Sequence, residues 1–574
     1  MSDVYIKKAA QVFDAIVVGS GITGGIAAKE LCERGLKVLM LDRGRKVEHR
    51  KDYPGEGIPP WQWPNRGRVD RKTQAEQHIQ SRNYAYNDAT NQFFINDKKN
   101  PYVEKKPFNW LRGDQLGGKS LLWHRASYRM SDLDFGANER DGVGVDWPIR
   151  YADVKPWYEH VEKFVGISGA AANIDVLPDS VFLPPFEMNN VEKEMQKRIA
   201  KRYNDRQMIM GRCAHLSKPT QQHLDLGRVQ CQARNECQKG CSFGAYYSTQ
   251  AGALPAAIAT GNLSVATDAQ VREVLYDAGS NRAKGVLVFD RETQETREYF
   301  GKMVFMCGST LGTTQVLMNS RSDAFPEGIG NTSGVLGHYL MDHIYNSRAD
   351  GRVPGFEDEY YYGRRPVGIY VPRFQNLVKG GMKDDRYLRG FAFQGVGERY
   401  GWGQMAQRIS GVGAGLKENL QNPGEWRFGL HGSGEMLPDY DNKVSLDFND
   451  LDATGMPKLI VDCEWKANDL AMMKAIPEIS AEMLESIGVK DIEMKISDDP
   501  PGHAIHEVGT ARMGRDPKTS YLNAHNQNHE VPNLFVTDGA AWPSCGWQNP
   551  SLTFMALTAR AADFASKQLA DKTI

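Results

Sequence analysis

A short glycine-rich turn between two apolar runs constrains this chain more than any other feature. Residues Phe13 to Val18 are apolar and are followed at once by Gly19-Ser20-Gly21-Ile22-Thr23-Gly24. A helix-like stretch then runs through Leu31 to Gly35, and a second apolar run, Val38 to Leu41, ends on Asp42. Each part of this strand, turn, helix, strand and acid has a physical reason. Gly19 permits the tight turn, Gly21 lets the backbone approach a pyrophosphate, and Gly24 allows the helix to pack closely on the strand. The free N–H groups at the helix start make an anion site. Asp42, 18 residues after Gly24, is placed to accept hydrogen bonds from an adenosine ribose. The pattern predicts dinucleotide binding, and NAD and FAD both satisfy it.

The rest of the composition narrows the class. A chain of 574 residues corresponds to about four domains of ordinary size or two large ones. Lys and Arg total 70 against 71 for Asp and Glu, so no basic footprint points to nucleic acid or anionic lipid. No stretch approaches the ~18 uninterrupted apolar residues of a membrane-spanning helix. Met1 to Ala10 lacks an apolar core and a small-residue cleavage site, so no secretory signal is expected there. Eight cysteines in this length exclude a disulfide scaffold, yet Cys231, Cys237 and Cys241 fall within 11 residues. An even spread would put far fewer than one cysteine in such a window.

Along the chain, residues 51–106 are polar, rich in Trp, Pro and Asn and without periodicity, which reads as an insertion or lid. Arg112 to Ser120 carries the Gly117-Gly118 pair, a second place for close approach of backbone to a ligand. Val154 to Val165 has amphipathic helical spacing, and alternation between Leu263 and Phe300, broken at Asp277 to Ser280, predicts a hairpin or meander. Val304 to Cys307 predicts a buried strand running into a helix near Gly312. From about Ala349 to Ser497 strand-like alternation suggests a second, sheet-based domain. The C-terminal segment holds His506-Glu507-Val508-Gly509-Thr510-Ala511-Arg512-Met513-Gly514, then Asp538-Gly539, then Asn549-Pro550-Ser551-Leu552-Thr553 and a helix to about Leu569. Asn549 before Pro550 fits a helix N-cap followed by its first residue.

Taken in this order, the motifs resemble the glucose-methanol-choline (GMC) oxidoreductases, flavoproteins that oxidise alcohols and sugars. The likeness runs from Gly19 to the C-terminus, and its His-x-x-Gly-Thr-x-Arg-Met-Gly and Asn-Pro-x-Leu-Thr stretches look most like the pyranose-oxidising branch. It implies an α/β fold, with a Rossmann-like FAD-binding domain and a discontinuous sheet-based substrate domain. The expected FAD-binding parts are residues 1–50, 107–170, 225–345 and 500–574, and the substrate domain 171–224 and 346–499. The resemblance implies FAD as cofactor, with Gly19, Gly21, Gly24 and Asp42 on its ADP half and Gly118, Ser120 and Asp538 near the pyrophosphate and isoalloxazine. Some pyranose oxidases attach FAD through a His just before a Trp; here Leu122 precedes Trp123, so non-covalent FAD is expected. His506 is the implied base, since alcohol oxidation removes a hydroxyl proton as hydride leaves carbon. Asn549 is its implied partner on the substrate oxygen, a neutral amide that donates without competing for the proton. His343 and His503 are expected to support the fold around them.

The cysteine triplet lacks the C-x2-C spacing of a zinc ribbon and has no nearby fourth Cys. Its Cys-x5-Cys-x3-Cys spacing resembles that of GMC dehydrogenases carrying a three-iron four-sulfur cluster, with one thiolate for each iron. A zinc site completed by a distant His and structural thiols, reduced or paired, are the alternatives. A one-electron cluster implies an exit to a cytochrome or other acceptor, so the resemblance implies a sugar or glycoside dehydrogenase, with C3 of a glucoside the first position considered. A small helper subunit is the further partner implied. It could carry an export signal, which leaves a periplasmic or a cytoplasmic location open. An oxygen-using pyranose oxidase with structural cysteines and a non-catalytic flavin subunit are the competing readings.

Overall fold

A computed structural model describes residues 12–359, 366–399, 411–421 and 424–574; the segment Met1 to Ala10, read above for a signal, lies outside them. The fingerprint folds into the strand Phe13–Val18, the helix Ile22–Glu33 and the strand Val38–Leu41. Phe13–Val18 sits at the middle of a seven-stranded sheet, parallel to Val38–Leu41 on one side and to Thr296–Met306 on the other. Leu263–Ala266 extends the sheet beyond Val38–Leu41, and Leu534–Val536 adds alongside Thr296–Met306, both in parallel. Strands flanked by helices on both faces bury all their residues, and Val38–Leu41 accordingly has no exposed position.

The strand Thr296–Met306 has two partners in succession. Its first half closes an antiparallel meander with Ala269–Asp277 and Arg282–Asp290, and its second half pairs with Phe13–Val18, Ile16 opposite Val304. Helices Ile22–Glu33 and Tyr151–Val165 both pack on the C-terminal helix Ser551–Ala570. The predicted meander, buried strand and C-terminal helix are therefore present.

A second seven-stranded sheet is antiparallel. It runs Lys490–Lys495, Arg348–Val353, Trp426–Glu435, Phe391–Arg399, Ile369–Val371 and Ile209–Met210, with His343–Ile344 against Trp426–Glu435. The helix Ala467–Ser486 covers one face. Phe391, Phe393, Phe428 and Leu430 join its Met472 and Ile476 in one core, and the backbone at Gly432 touches Ile476 closely. The period of two sends the alternate residues, Gln394 among them, to the opposite face.

Residues 51–106 are packed against the body. Tyr53, Ala85, Phe93 and Phe94 form a small core with Leu121 and Leu122, and the buried Asp97 carboxylate accepts from Ile79 N (2.9 Å) and Gln80 Nε2 (2.7 Å). Among the described residues no helix is long and apolar enough to cross a membrane.

Candidate active site

A cavity of about 1250 Å³ opens between the two sheets and is lined from Gly19 at one end to His506 and Asn549 at the other. At the nucleotide end the walls are backbone. Gly19 takes φ +95°, and a Cβ there would collide with the Cys307 carbonyl. Gly24 lies so close under the Gly19 carbonyl that any side chain would overlap it. Gly21 precedes the helix Ile22–Glu33, whose first amides face the cavity. Asp42 is buried and accepts from Ser20 N (3.0 Å), from Ser20 Oγ and from Gly44 N (2.7 Å). Burial pushes its carboxyl up to about 6 against the pull of those bonds.

The second glycine loop closes over this end. Gly117 is left-handed and its N–H reaches Ser20 Oγ at 2.6 Å, while Ser120 is buried with its hydroxyl donating to the Gly117 carbonyl. Gly118 and Ser120 both line the cavity. Asp538 caps the turn Gly539–Ala541, taking Ala540 N at 3.0 Å and Thr313 Oγ1 at 2.5 Å. Burial raises it to about 6 as well.

At the far end the groups are side chains. His506 packs edge-to-face on the buried His343, ring centroids 4.9 Å apart. Its Nδ1 is buried without a hydrogen-bond partner among the described residues. Burial, with His343 and Lys119 nearby, holds its pKa well below the usual histidine value, so the ring is neutral. Lys119 of the glycine loop pairs with Glu507 at 3.3 Å, tying that loop to the histidine segment. His503 lies 3.1 Å from Asn109 Nδ2. Asn549 does not cap the helix as its sequence context suggests. The helix begins at Ser551 with Pro550 in the cap position, and the Asn549 carbonyl instead accepts from Gln394 Nε2 at 3.2 Å. Pro550 already has helical dihedrals, with ψ −18°, and the first helical hydrogen bond runs from Phe554 N to its carbonyl at 3.0 Å, while Asn549 lines the cavity.

Several lining residues carried no signal in the sequence. Gln394 and His431 face each other across neighbouring strands and so share one face. His431 is neutral, burial lowering it to about 4, and its Nε2 has no partner among the described residues. Asp342, which holds the His506 segment, belongs to the Gly337–His343 stretch of the resemblance, which gives it no role. Gln394 and Asp342 act through partners remote in sequence.

The cysteine segment forms part of the same wall, through Ala233, Arg234, Asn235 and Gln238. Cys231, Cys237 and Cys241 are free, half-buried thiols, so pairing among them is not seen. Cys237 Sγ lies 3.6 Å from His215 Nε2. Burial holds the Cys231 thiol above its ordinary value, and the neighbouring Cys237 and Cys241 push it the same way. The expected ligand sphere is not gathered. Among the described residues no three His, Cys, Asp or Glu side chains converge where one metal ion could be held. The segment is instead shaped by residues 53–63, where Glu56 pairs with Arg234 and accepts from Ser242 N (2.9 Å), and Lys239 lies 4.5 Å over the Trp63 ring.

Comparison with known proteins adds a name to this arrangement. Residues 13–345 and 438–558 match the two profiles described as GMC oxidoreductase. The chain is 26% identical to the 2-methyl-1,2-propanediol dehydrogenase of Mycolicibacterium austroafricanum, over 97% of this chain and 96% of that one. It is 25% identical to the fructose dehydrogenase large subunit of Gluconobacter japonicus, over 96% and 97% respectively. Among solved structures, formate oxidase of Aspergillus oryzae superposes with a TM-score of 0.61 at 14% identity, covering 98% of this chain and all of that one. At that identity the likeness is one of fold.

Proposed function

The chain belongs to the GMC oxidoreductase family, FAD enzymes acting on alcohol or sugar hydroxyls, and on that premise we propose that it is a dehydrogenase oxidising a secondary hydroxyl of a neutral sugar or glycoside to a ketone. C3 of a glucoside is the first position to test. The observation that carries the reading is the single cavity joining the Gly19–Gly24 turn to His506 and Asn549. FAD, when bound there, would accept the hydride that leaves the substrate carbon. Gly19, Gly21, Gly24 and Asp42 would hold its ADP half, and Gly118, Ser120 and Asp538 the remainder. The space beside Gly21, where an added Cβ would meet no protein atom within 4 Å and which lines the cavity, fits a closely apposed pyrophosphate, while the contacts at Gly19 and Gly24 are the turn's own packing.

His506 takes the hydroxyl proton. Its neutral ring, with Nδ1 buried, presents Nε2 as the acceptor, and a base must be unprotonated before it can act. Asn549 donates from its amide to the same oxygen, because its carbonyl is already engaged by Gln394. Neutral His431 and Gln394 add groups that both donate and accept, which suits vicinal hydroxyls. Residues 1–50, 107–170, 225–345 and 500–574 serve the cofactor in this reading, and 171–224 with 346–499 the substrate.

Electrons leave, we infer, through the cysteine segment to a one-electron acceptor such as a cytochrome. The Cys-x5-Cys-x3-Cys spacing, which resembles that of relatives carrying a three-iron four-sulfur cluster, is what supports this reading, since the three sulfurs do not converge on one point among the described residues. The relative named as a large subunit supports a multi-subunit setting with a small helper. Anaerobic titration with a panel of glucosides should bleach the flavin absorbance, and the product should be a 3-keto glucoside. His506→Ala should keep the flavin and lose that bleaching. Protein isolated anaerobically should hold about three irons per chain, one per thiolate. Iron-free protein turning over well with oxygen would replace the dehydrogenase reading by an oxidase.

A further inference from the structure

We propose that Asp342 is the positioning residue for His506: its carboxylate holds the strained loop that aims the imidazole into the cavity. The proposal rests on the reading of His506 as base, and the experiment below separates the two.

Asp342 is wholly buried. Its Oδ2 accepts from Gly502 N at 2.7 Å and Ala504 N at 3.2 Å, and its Oδ1 from His506 N at 3.0 Å. One carboxylate thus gathers three amides of a five-residue loop. No basic side chain makes an ion pair with Asp342 among the described residues, and the charge acting on it most strongly is Glu507, of like sign. Burial and Glu507 push its carboxyl up to about 7, and the backbone N–H dipoles pull the other way by stabilising the charged form. Its chain neighbours are fixed too, since Met341 and Val508 exchange both backbone hydrogen bonds at 2.9 Å.

The loop needs this support. Ile505, the residue before His506, has φ +65°, a left-handed conformation that a β-branched side chain strongly disfavours. The two amides on either side of it, Ala504 N and His506 N, are bonded by the two oxygens of Asp342. The carboxylate therefore spans the strained residue and fixes the peptide from which the imidazole projects. His343, following Asp342 in the chain, supplies the ring on which His506 rests. Both supports of His506 thus come from one dipeptide, Asp342 on its backbone N–H and His343 on its ring.

The test uses the flavin-loaded enzyme. In Asp342→Asn one acceptor oxygen becomes an NH2 that must face an amide N–H. The expected result is retained flavin absorbance, a loss of at least about tenfold in the rate of flavin reduction by substrate at saturation, and a much smaller change in KM. In the His506→Ala background the same change should add little, because residues acting as one unit are not additive. Asp469→Asn is the control. That carboxylate is also buried but bonds the start of the helix Ala467–Ser486, so its loss should cost stability and leave the reduction rate within about twofold.

Wild-type reduction by Asp342→Asn, or losses at 342 and 506 that multiply, would overturn the assignment. If His506→Ala itself reduces normally, the base reading fails instead. Should Asp342→Asn not fold, Ile505→Gly is combined with it, since glycine removes the strain that the carboxylate restrains. A folded double variant with slow flavin reduction supports the proposal, and a double variant that still does not fold overturns it.

Discussion

The two ends of the cavity are built from different materials. At the nucleotide end the cavity surface is backbone at Gly19, Gly21 and Gly118, with Gly24 packed behind it on the Gly19 carbonyl. At the reacting end it is side chains, His506, Asn549, Gln394 and His431, brought from strands and loops spread over 155 residues of chain. A backbone surface is intolerant of added atoms but indifferent to chemistry. A side-chain surface is the reverse, and the two should fail in different ways.

The largest effect should come from chemistry at the side-chain end. His506→Ala should slow flavin reduction by roughly 10²–10⁴-fold, the usual worth of a general base, while flavin content stays unchanged. Equal losses of flavin and rate would erase the distinction between the ends. Next in size, Gly24→Ala should act through volume alone. Its methyl meets the Gly19 carbonyl, so the backbone must move at a cost of about 1–3 kcal/mol, seen as weaker FAD retention and lower Tm. Flavin that remains bound should still be reduced at a near-normal rate.

A smaller effect is expected at Gln394, which only orients Asn549. Gln394→Ala removes one neutral hydrogen bond worth about 0.5–1.5 kcal/mol, or roughly three- to tenfold in flavin reduction.

The smallest sharpens the contrast through pH, in cofactor-free protein. Asp42 titrates near 6 when folded and near 3.9 when unfolded, so between about pH 4 and 6 the folded state holds the extra proton and stability falls as pH rises. His343 is lowered to about 4 from about 6.5, so the unfolded state holds the extra proton and stability rises with pH over nearly the same window. Asp42→Asn should therefore tilt the Tm-against-pH curve upward with pH, and His343→Gln should tilt it downward. Tilts of the same sign would show that the two ends do not titrate oppositely.

The same contrast explains what was legible in the sequence. The fingerprint is local: strand, turn, helix and acid lie within 30 residues, even though Gly19 is closed in by the distant Cys307 carbonyl. The family order of motifs carried His506 and Asn549 as well. The roles of Asp342, whose stretch the resemblance includes, and of Gln394 were not legible because their partners lie across the fold. Asp342 bonds amides about 160 residues away, and Gln394 meets Asn549 across 155, with no period or spacing to announce either. Asn549 misled in a different way. Asn before Pro is a sound capping signal, but Gln394 competes for its carbonyl, and the helix starts one residue later. For the cysteines, clustering was visible and the arrangement of the sulfurs was not, because the segment is shaped by Glu56 and Trp63, which meet Arg234 and Lys239 from a stretch that showed no pattern.

The strand Thr296–Met306 and its late neighbour Leu534–Val536 bear on how the enzyme is made. The fingerprint leaves the ribosome first, but Phe13–Val18 lacks its second parallel neighbour until residue 306 has emerged, and the sheet gains its last strand only some 40 residues from the end of the chain. Pairings of such long sequence separation form slowly. The nascent turn must therefore stay apart from its pocket through most of translation, and cofactor capture falls after synthesis of the second sheet. A truncation that removes the C-terminal helix would consequently empty a binding site whose recognisable motif lies more than 500 residues upstream.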